Sequence, residues 1–269
     1  MAYECGNSQH LPFFVPPESL QGNTFELTDA ELAHQIGRVL RLRPGSRVLL
    51  LDGVGNACTV VLTDTTTERL RGDIVARTPA GGEPASRLTL YVPLIRAERF
   101  EWILQKGTET GAAAFVPVLW SRAVATEQRT ERKLPRWQRI VREAAEQACR
   151  GWLPTVTPPI TVEEACAEAA TSDMALLLWE GPSYPAVTGQ LHPTPSLRAI
   201  LRPAAATPPR SIAVLSGPEG GITPAELTSA VHRGIIPVSL GPRILRAETA
   251  PVVASAALFY ELEDIPDTA

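Results

Sequence analysis

Residues equipped for chemistry gather near the end of this chain, in two segments of similar layout. The first is Leu215-Ser216-Gly217-Pro218-Glu219-Gly220-Gly221, and the second runs Ser239-Leu240-Gly241-Pro242-Arg243-Ile244-Leu245-Arg246-Ala247-Glu248-Thr249-Ala250. Each reads as an apolar strand, a Gly/Pro loop carrying charge, and then a helix. Two such loops can close round a small polar ligand, since glycines permit close approach and backbone N–H groups face it. The two carboxylates also have a plain structural reading. Thr223 and Glu226 have the spacing of a helix-capping box, and Glu248 opens the last helix, where the dipole favours an acid. Residue type and spacing reach as far as a cofactor-like pocket and stop there.

Other chemistries find less support. Neither GxGxxG nor GxxxxGK[ST] is present, which speaks against a nucleotide-dependent dehydrogenase. Four scattered cysteines (Cys5, Cys58, Cys149, Cys166) form no CxxC pair and suggest neither a disulfide framework nor a zinc site. The four histidines are equally dispersed, so no metal is expected. The longest apolar run, Val252 to Tyr260, is too short to span a bilayer, and no charged-then-apolar signal opens the chain. A cytoplasmic protein without a membrane partner is the expectation.

The net charge of −4 argues against indiscriminate coating of nucleic acid. Cations are nonetheless clustered. Arg38, Arg41, Arg43 and Arg47 follow without an intervening acid, and Arg129, Arg132, Lys133, Arg136, Arg139 and Arg142 have only Glu131 among them. Solvated faces and a nucleic-acid footprint explain such runs equally well.

The elements that must position the loops follow from periodicity. Residues 1–80 read as mostly β, with strands over Arg47–Asp52, Ala57–Thr63 and Leu70–Ala76. One helix precedes them, started by Thr28/Glu31, lined by Leu32, Ile36, Val39 and Leu40, and ended by Pro44-Gly45. A small barrel-like module fits. Thr78 to Ser86 reads as a linker, and beyond it strand and helix alternate, which predicts an α/β layer with a mostly parallel sheet over 87–269. Strands are expected at Leu88–Ile95, Ala114–Leu119 and Met174–Trp179, and helices at Arg99–Thr110, Pro135–Arg150 and Glu248–Tyr260.

Several segments carry a family resemblance: Ala33 to Arg41, Gln105-Lys106-Gly107-Thr108-Glu109-Thr110-Gly111, Glu143 to Arg150, and above all the GPEGG loop followed by LGPRILRAETA. Together they resemble the RsmE family of 16S rRNA (uracil-N3) methyltransferases, of the SPOUT superfamily, over nearly the whole chain. The chain departs from that pattern at Leu11-Pro12-Phe13-Phe14, where Pro12 replaces an Arg usually found before an aromatic pair. The strand ending at Trp179-Glu180, which flanks the cofactor in the family, is less regular than usual.

The resemblance implies a PUA-like RNA-binding β-barrel over 1–80 and a SPOUT domain over 87–269 whose chain is threaded into a trefoil knot. It implies S-adenosylmethionine as methyl donor and S-adenosylhomocysteine as product. The donor would be held by Leu215, Ser216, Gly217, Glu219, Gly220, Gly221, Leu240, Gly241, Ile244, Leu245 and Arg246, with Gly217, Gly220 and Gly221 lying where a Cβ would crowd it. Arg246 would be the cation that favours the uracil anion, because a guanidinium stays charged and bonds a carbonyl oxygen. Glu248 is a weaker candidate for proton acceptor. Arg38, Arg41, Arg43, Lys106 and Arg150 would contact phosphates of 16S rRNA in the small subunit. A homodimer through the last helix is expected as well. The rival reading is a non-catalytic RNA-binding assembly factor that kept the fold.

Overall fold

A computed structural model describes residues 12–29, 33, 42–66, 69–123 and 131–262. The chain divides into two compact units, one comprising residues 1–83 and 142–153, the other 84–141 and 154–269. The helix expected through Leu32, Ile36, Val39 and Leu40 lies outside the described residues.

The first unit holds a six-stranded sheet of β1 (Phe13–Phe14), β2 (Leu20–Gln21), β3 (Thr24–Leu27), β4 (Arg47–Leu51), β5 (Asn56–Thr65) and β6 (Leu70–Pro79). The order is β1-β4-β5-β6-β3-β2, antiparallel except where β1 joins β4. Four consecutive buried residues in β4 look unlike the alternation of a half-buried strand. The reason is a cluster on each face. Val48 and Leu50 join Val15, Phe25, Leu27 and Val60, while Leu49 and Leu51 join Phe14, Ala57 and Ala145. Side chains alternate across a strand, so two covered faces require an unbroken apolar run.

Ala145 belongs to helix α2 (Leu134–Gln147), and the end of that helix is tied to β1. The Phe14 N–H donates to Glu146 Oε1 at 3.0 Å, and Arg142 Nη1 donates to the Phe14 carbonyl at 3.1 Å. Burial pushes the Glu146 carboxyl up to about 7, outweighing the Phe14 hydrogen bond and the Arg142 charge that pull it down. The fold therefore favours the neutral acid. Its contribution is fully present below the ordinary carboxylate range and is lost as pH rises through about 7, a change on the order of 3 kcal/mol. Denaturant titrations at pH 5 and pH 8 should show that loss, and Glu146→Gln should flatten it. An unchanged slope in the variant would assign the pH dependence elsewhere.

The segment expected to be a linker is anchored instead. Glu83 accepts from Arg150 Nη2 at 2.6 Å and from the Trp152 N–H at 3.1 Å, and a Cβ on Gly82 would meet the Cys149 carbonyl at 2.8 Å. Cys149 is disulfide-bonded, which the cysteine spacing does not announce, whereas Cys58 and Cys166 are free and buried.

The second unit holds a parallel sheet of β7 (Arg87–Pro93), β8 (Ala114–Leu119), β9 (Thr155–Val156), β10 (Ile160–Thr161), β11 (Met174–Leu178), β14 (Ser211–Leu215) and β15 (Ile236–Val238). Its order is β10-β8-β7-β14-β11-β15, with β9 also paired to β8. The mostly parallel α/β sheet expected from the alternation is thus present. Strand β14 falls between β7 and β11, and the chain then crosses β11 to form β15 at the edge. A small hairpin of β12 (Ser183–Pro185) and β13 (Leu191–Pro193) was not legible in the proline-rich stretch.

Helices cover both faces. One apolar cluster takes Leu88, Leu90, Ile212 and Val214 from the sheet and meets α1 (Ala97–Glu109), α2, α4 (Leu197–Ala204) and α6 (Thr249–Glu261) through Phe100, Trp137, Leu201 and Leu258. The other takes Ala213 and Leu215 and meets α3 (Val162–Ala169) and α5 (Pro224–His232) through Ala165, Cys166, Leu227 and Ala230. The expected capping box of Thr223 with Glu226 opens α5, and a second one, Thr161 with Glu164, opens α3. The one expected at Thr28 with Glu31 rests on Glu31, which lies outside the described residues. Gly111, at φ +105°, ends α1 as its sequence implies. Among the described residues, no helix is long and apolar enough to cross a membrane, and no group of His, Cys, Asp or Glu is set to hold a metal ion.

Candidate active site

Three neighbouring parallel strands, β14, β11 and β15, end on one edge of the sheet, as parallel strands must. The segments leaving them form a cavity of about 500 Å³, a volume ordinary for a small-molecule site. Loop 216–223 leaves β14, Trp179 and Glu180 follow β11, and loop 239–248 leaves β15.

Each loop is pinned by hydrogen bonds from its own residues and its neighbours. In the first, Gly221 N–H donates to the Pro218 carbonyl at 2.9 Å, and Glu226 reaches from α5 to accept the Ser121 N–H at 2.9 Å. Burial raises the Glu226 carboxyl, but the N–H donors of Ser121 and Thr223 outweigh it and hold the group below its ordinary value. In the second, Ser239 pairs with residues 195–197, and the Ser239 hydroxyl accepts from Gly241 N–H at 3.2 Å. The Arg246 carbonyl receives the first N–H bonds of α6, which fixes the backbone beneath its side chain.

Most of the expected cofactor residues come together here. Ser216, Gly217, Glu219, Gly221, Leu240, Gly241, Ile244, Leu245 and Arg246 all line the cavity. Leu215 and Gly220 do not. Leu215 is fully buried in the apolar cluster facing α3 and α5, because it is the last sheet-facing residue of β14. The glycines also divide by cause. A Cβ on Gly220 would strike the Arg122 carbonyl at 2.6 Å, and one on Gly217 would strike Ile222 at 2.6 Å, so protein atoms, not a ligand, demand those two. Gly221 and Gly241 have φ of +74° and +112° with open space where a Cβ would stand. A side chain there would be strained whatever the space around it.

Polar groups converge at one side of the cavity. Arg99, from the first turn of α1, donates from Nη1 to Glu219 Oε1 at 3.1 Å, and its Nε lies 3.7 Å from Glu248 Oε1. Arg246 Nη1 is 4.0 Å from that same Glu248 oxygen, and its side chain is 79% exposed. Glu248 caps the start of α6 without a side-chain capping bond. It is buried, is not one of the lining residues, and its Oε2 has no hydrogen-bond partner. A carboxylate set behind the wall is poorly placed to receive a proton from a ligand inside it.

Sequence reasoning missed Arg99, which lines the cavity from far along the chain. Its one signal is a cation in a helix's first turn, against the dipole's preference. The expected phosphate contacts fare unevenly. Arg43 is exposed on a turn closed by Ser46, and Arg38 and Arg41 lie outside the described residues. Lys106 is engaged by Glu109 at 2.7 Å. Arg150 is corrected outright: its side chain is 2% exposed and bound to Glu83, out of reach of any phosphate. In the second basic run, Arg136 pairs with Glu101 at 2.6 Å, and that bond holds the Glu101 carboxyl below its ordinary value.

Comparison with known proteins bears on these observations. An RNA methyltransferase domain model matches residues 82–259, and an RNA methyltransferase PUA domain model matches residues 27–75. The ribosomal RNA small subunit methyltransferase E of Synechocystis sp. is 39% identical over 93% of this chain and 77% of its own length. A crystal structure of that methyltransferase from Neisseria gonorrhoeae, bound to S-adenosyl methionine, aligns with TM-score 0.77 and 31% identity. It covers 93% of this chain and 97% of the other. A putative methyltransferase from Legionella pneumophila, in complex with the same cofactor, aligns with TM-score 0.77 at 25% identity, over 94% and 98% of the two chains.

Proposed function

Since the chain belongs to the RNA methyltransferase family that includes ribosomal RNA small subunit methyltransferase E, we propose that it methylates N3 of one uridine in 16S rRNA, using S-adenosylmethionine. The observation that carries this reading is the cavity between the two glycine loops, with Arg246 standing exposed at its wall.

The residues present suit the cofactor. Gly221 and Gly241 let the two loops line the cavity in a backbone conformation that side chains rarely adopt, Leu240, Leu245 and Ile222 supply apolar wall for an adenine, and Glu219 supplies negative charge for a sulfonium. When bound, S-adenosylmethionine offers a methyl carbon whose bond to sulfur breaks with its electron pair passing to sulfur, leaving S-adenosylhomocysteine. The chain's own contribution is electrostatic. Uracil N3 carries a proton near neutral pH and must release it to solvent before its lone pair is free. Arg246 bonds a neighbouring carbonyl oxygen and stabilises the anion that results. Orientation of the two reactants accounts for much of the remaining acceleration. Glu248 stands behind Arg246 and acts on it through charge.

The wider assignment follows the family. Residues 1–80 form a PUA-like barrel that binds RNA, and 87–269 form the SPOUT methyltransferase domain. Supporting a trefoil knot in the latter is the strand order, in which β14 enters between β7 and β11 before β15 lies beyond β11. Arg38, Arg41, Arg43 and Lys106 contact phosphates of 16S rRNA in the small subunit. The target base is unpaired or turned out of its stack, because pairing hides N3. A cytoplasmic homodimer meets through α6, whose Val253 and Tyr260 are exposed.

Incubating the protein with small ribosomal subunits and labelled S-adenosylmethionine, then mapping the label by mass spectrometry, tests the reading. One 3-methyluridine is expected. Label on a ribose or on carbon 5 would overturn the choice of atom, and absence of label would overturn the choice of substrate.

A further inference from the structure

Glu248 presents an electrostatic problem that its neighbours resolve. Its side chain is 11% exposed and Oε2 has no hydrogen-bond partner, so beyond the N-terminal dipole of α6 its charge is answered at Oε1. Two guanidiniums share that oxygen, Arg99 at 3.7 Å and Arg246 at 4.0 Å. They are not equivalent. Arg246 is 79% exposed and rides on the cavity loop, whereas Arg99 is 40% exposed and is also bonded to Glu219 at 3.1 Å. Arg99 sits in the first turn of α1, where the helix dipole disfavours a cation, so the two carboxylates are what hold it in place. If Arg246 is to turn toward an acceptor base, Glu248 must keep another counter-ion.

We infer that Arg99 is that counter-ion: a positioning residue whose charge on Glu248 leaves Arg246 free to engage the acceptor. This rests on the methyltransferase reading and on the role given there to Arg246. Arg99 touches no reacting atom in this account. Its removal leaves Glu248 with Arg246 as its only near cation among the described residues, and the ion pair then competes with the acceptor for that guanidinium. Loss of the competing carboxylate should undo the damage, which no merely structural role for Arg99 predicts.

The test compares Arg99→Gln, Arg99→Lys and the double variant Arg99→Gln/Glu248→Gln, with the full-length protein and small subunits as substrate. Arg99→Gln should lower kcat by roughly 30-fold, equivalent to ~2 kcal/mol at 1.4 kcal/mol per tenfold. Its affinity for S-adenosylmethionine, measured by calorimetry, should stay within about threefold of the parent. Arg99→Lys keeps the charge and should turn over within about threefold of the parent, and the double variant should recover at least about tenfold of the lost kcat. Unchanged turnover in Arg99→Gln, a cofactor affinity that falls as far as kcat, a lysine variant as slow as the glutamine one, or a double variant slower still would each overturn the proposal. A methyl group found at an atom other than N3 would count against the acceptor assignment alone, because this proposal is read from relative rates.

Discussion

Arg246→Ala should reduce methyl transfer roughly 10³-fold while leaving S-adenosylmethionine affinity within about threefold. The split follows from where the residue stands. Its backbone carbonyl accepts the first N–H bonds of α6, which truncation of the side chain leaves in place. Its guanidinium is exposed and 4.0 Å from its nearest carboxylate, so it contributes little to stability and is available to an incoming base. On the proposed role, only the interaction made as the uracil becomes an anion is removed, and such a loss appears in kcat rather than in cofactor binding. Single-turnover rates with calorimetry on the same preparation decide the matter. Wild-type rates in the variant would take Arg246 out of the chemistry, whereas lost cofactor affinity would make it a binding residue.

Glu83→Ala should lower stability by about 3 kcal/mol. Arg150 is 2% exposed and its guanidinium is bound by Glu83 at 2.6 Å, with a further contact from Nε at 3.2 Å. Truncating the carboxylate removes a counter-charge from a cation in a place that water does not reach, and it also removes the bond that Glu83 makes to the Trp152 N–H. Thermal melting should fall by about 10 °C. Glu83→Leu/Arg150→Met, which removes both charges and keeps apolar volume, should recover most of that loss. A single variant that melts with the parent would show the pair to be dispensable. Its effect on RNA affinity should be small at temperatures where the protein is folded, since a buried guanidinium offers nothing to a phosphate.

Much of the second unit was legible because its signals are local. Helix α1 ends at Gly111 where a positive φ is needed, both capping boxes form between residues three apart, and Ala114–Leu119 is a strand in sequence and structure alike. The two loops were legible as a pocket for the same reason. What escaped is long-range or concerns what a residue faces. The run expected to be a linker is pinned by Glu83, whose partner lies 67 residues away. Arg150 reads as one more cation in a basic stretch, yet it is buried. Gly220 reads as a glycine for a ligand, yet it makes way for the Arg122 carbonyl.

Sequence by itself determined the family, the α/β alternation and the two glycine loops, because each is carried by residue types within one or two turns of chain. Tertiary structure alone decided which of those residues reach the cavity, that Glu248 stands behind its wall, and that Arg99 arrives from α1 to share its charge. The physical reason is that burial and charge compensation belong to the assembled sheet: three parallel strands must first align their carboxyl ends before any side chain has a pocket to face or a partner to answer.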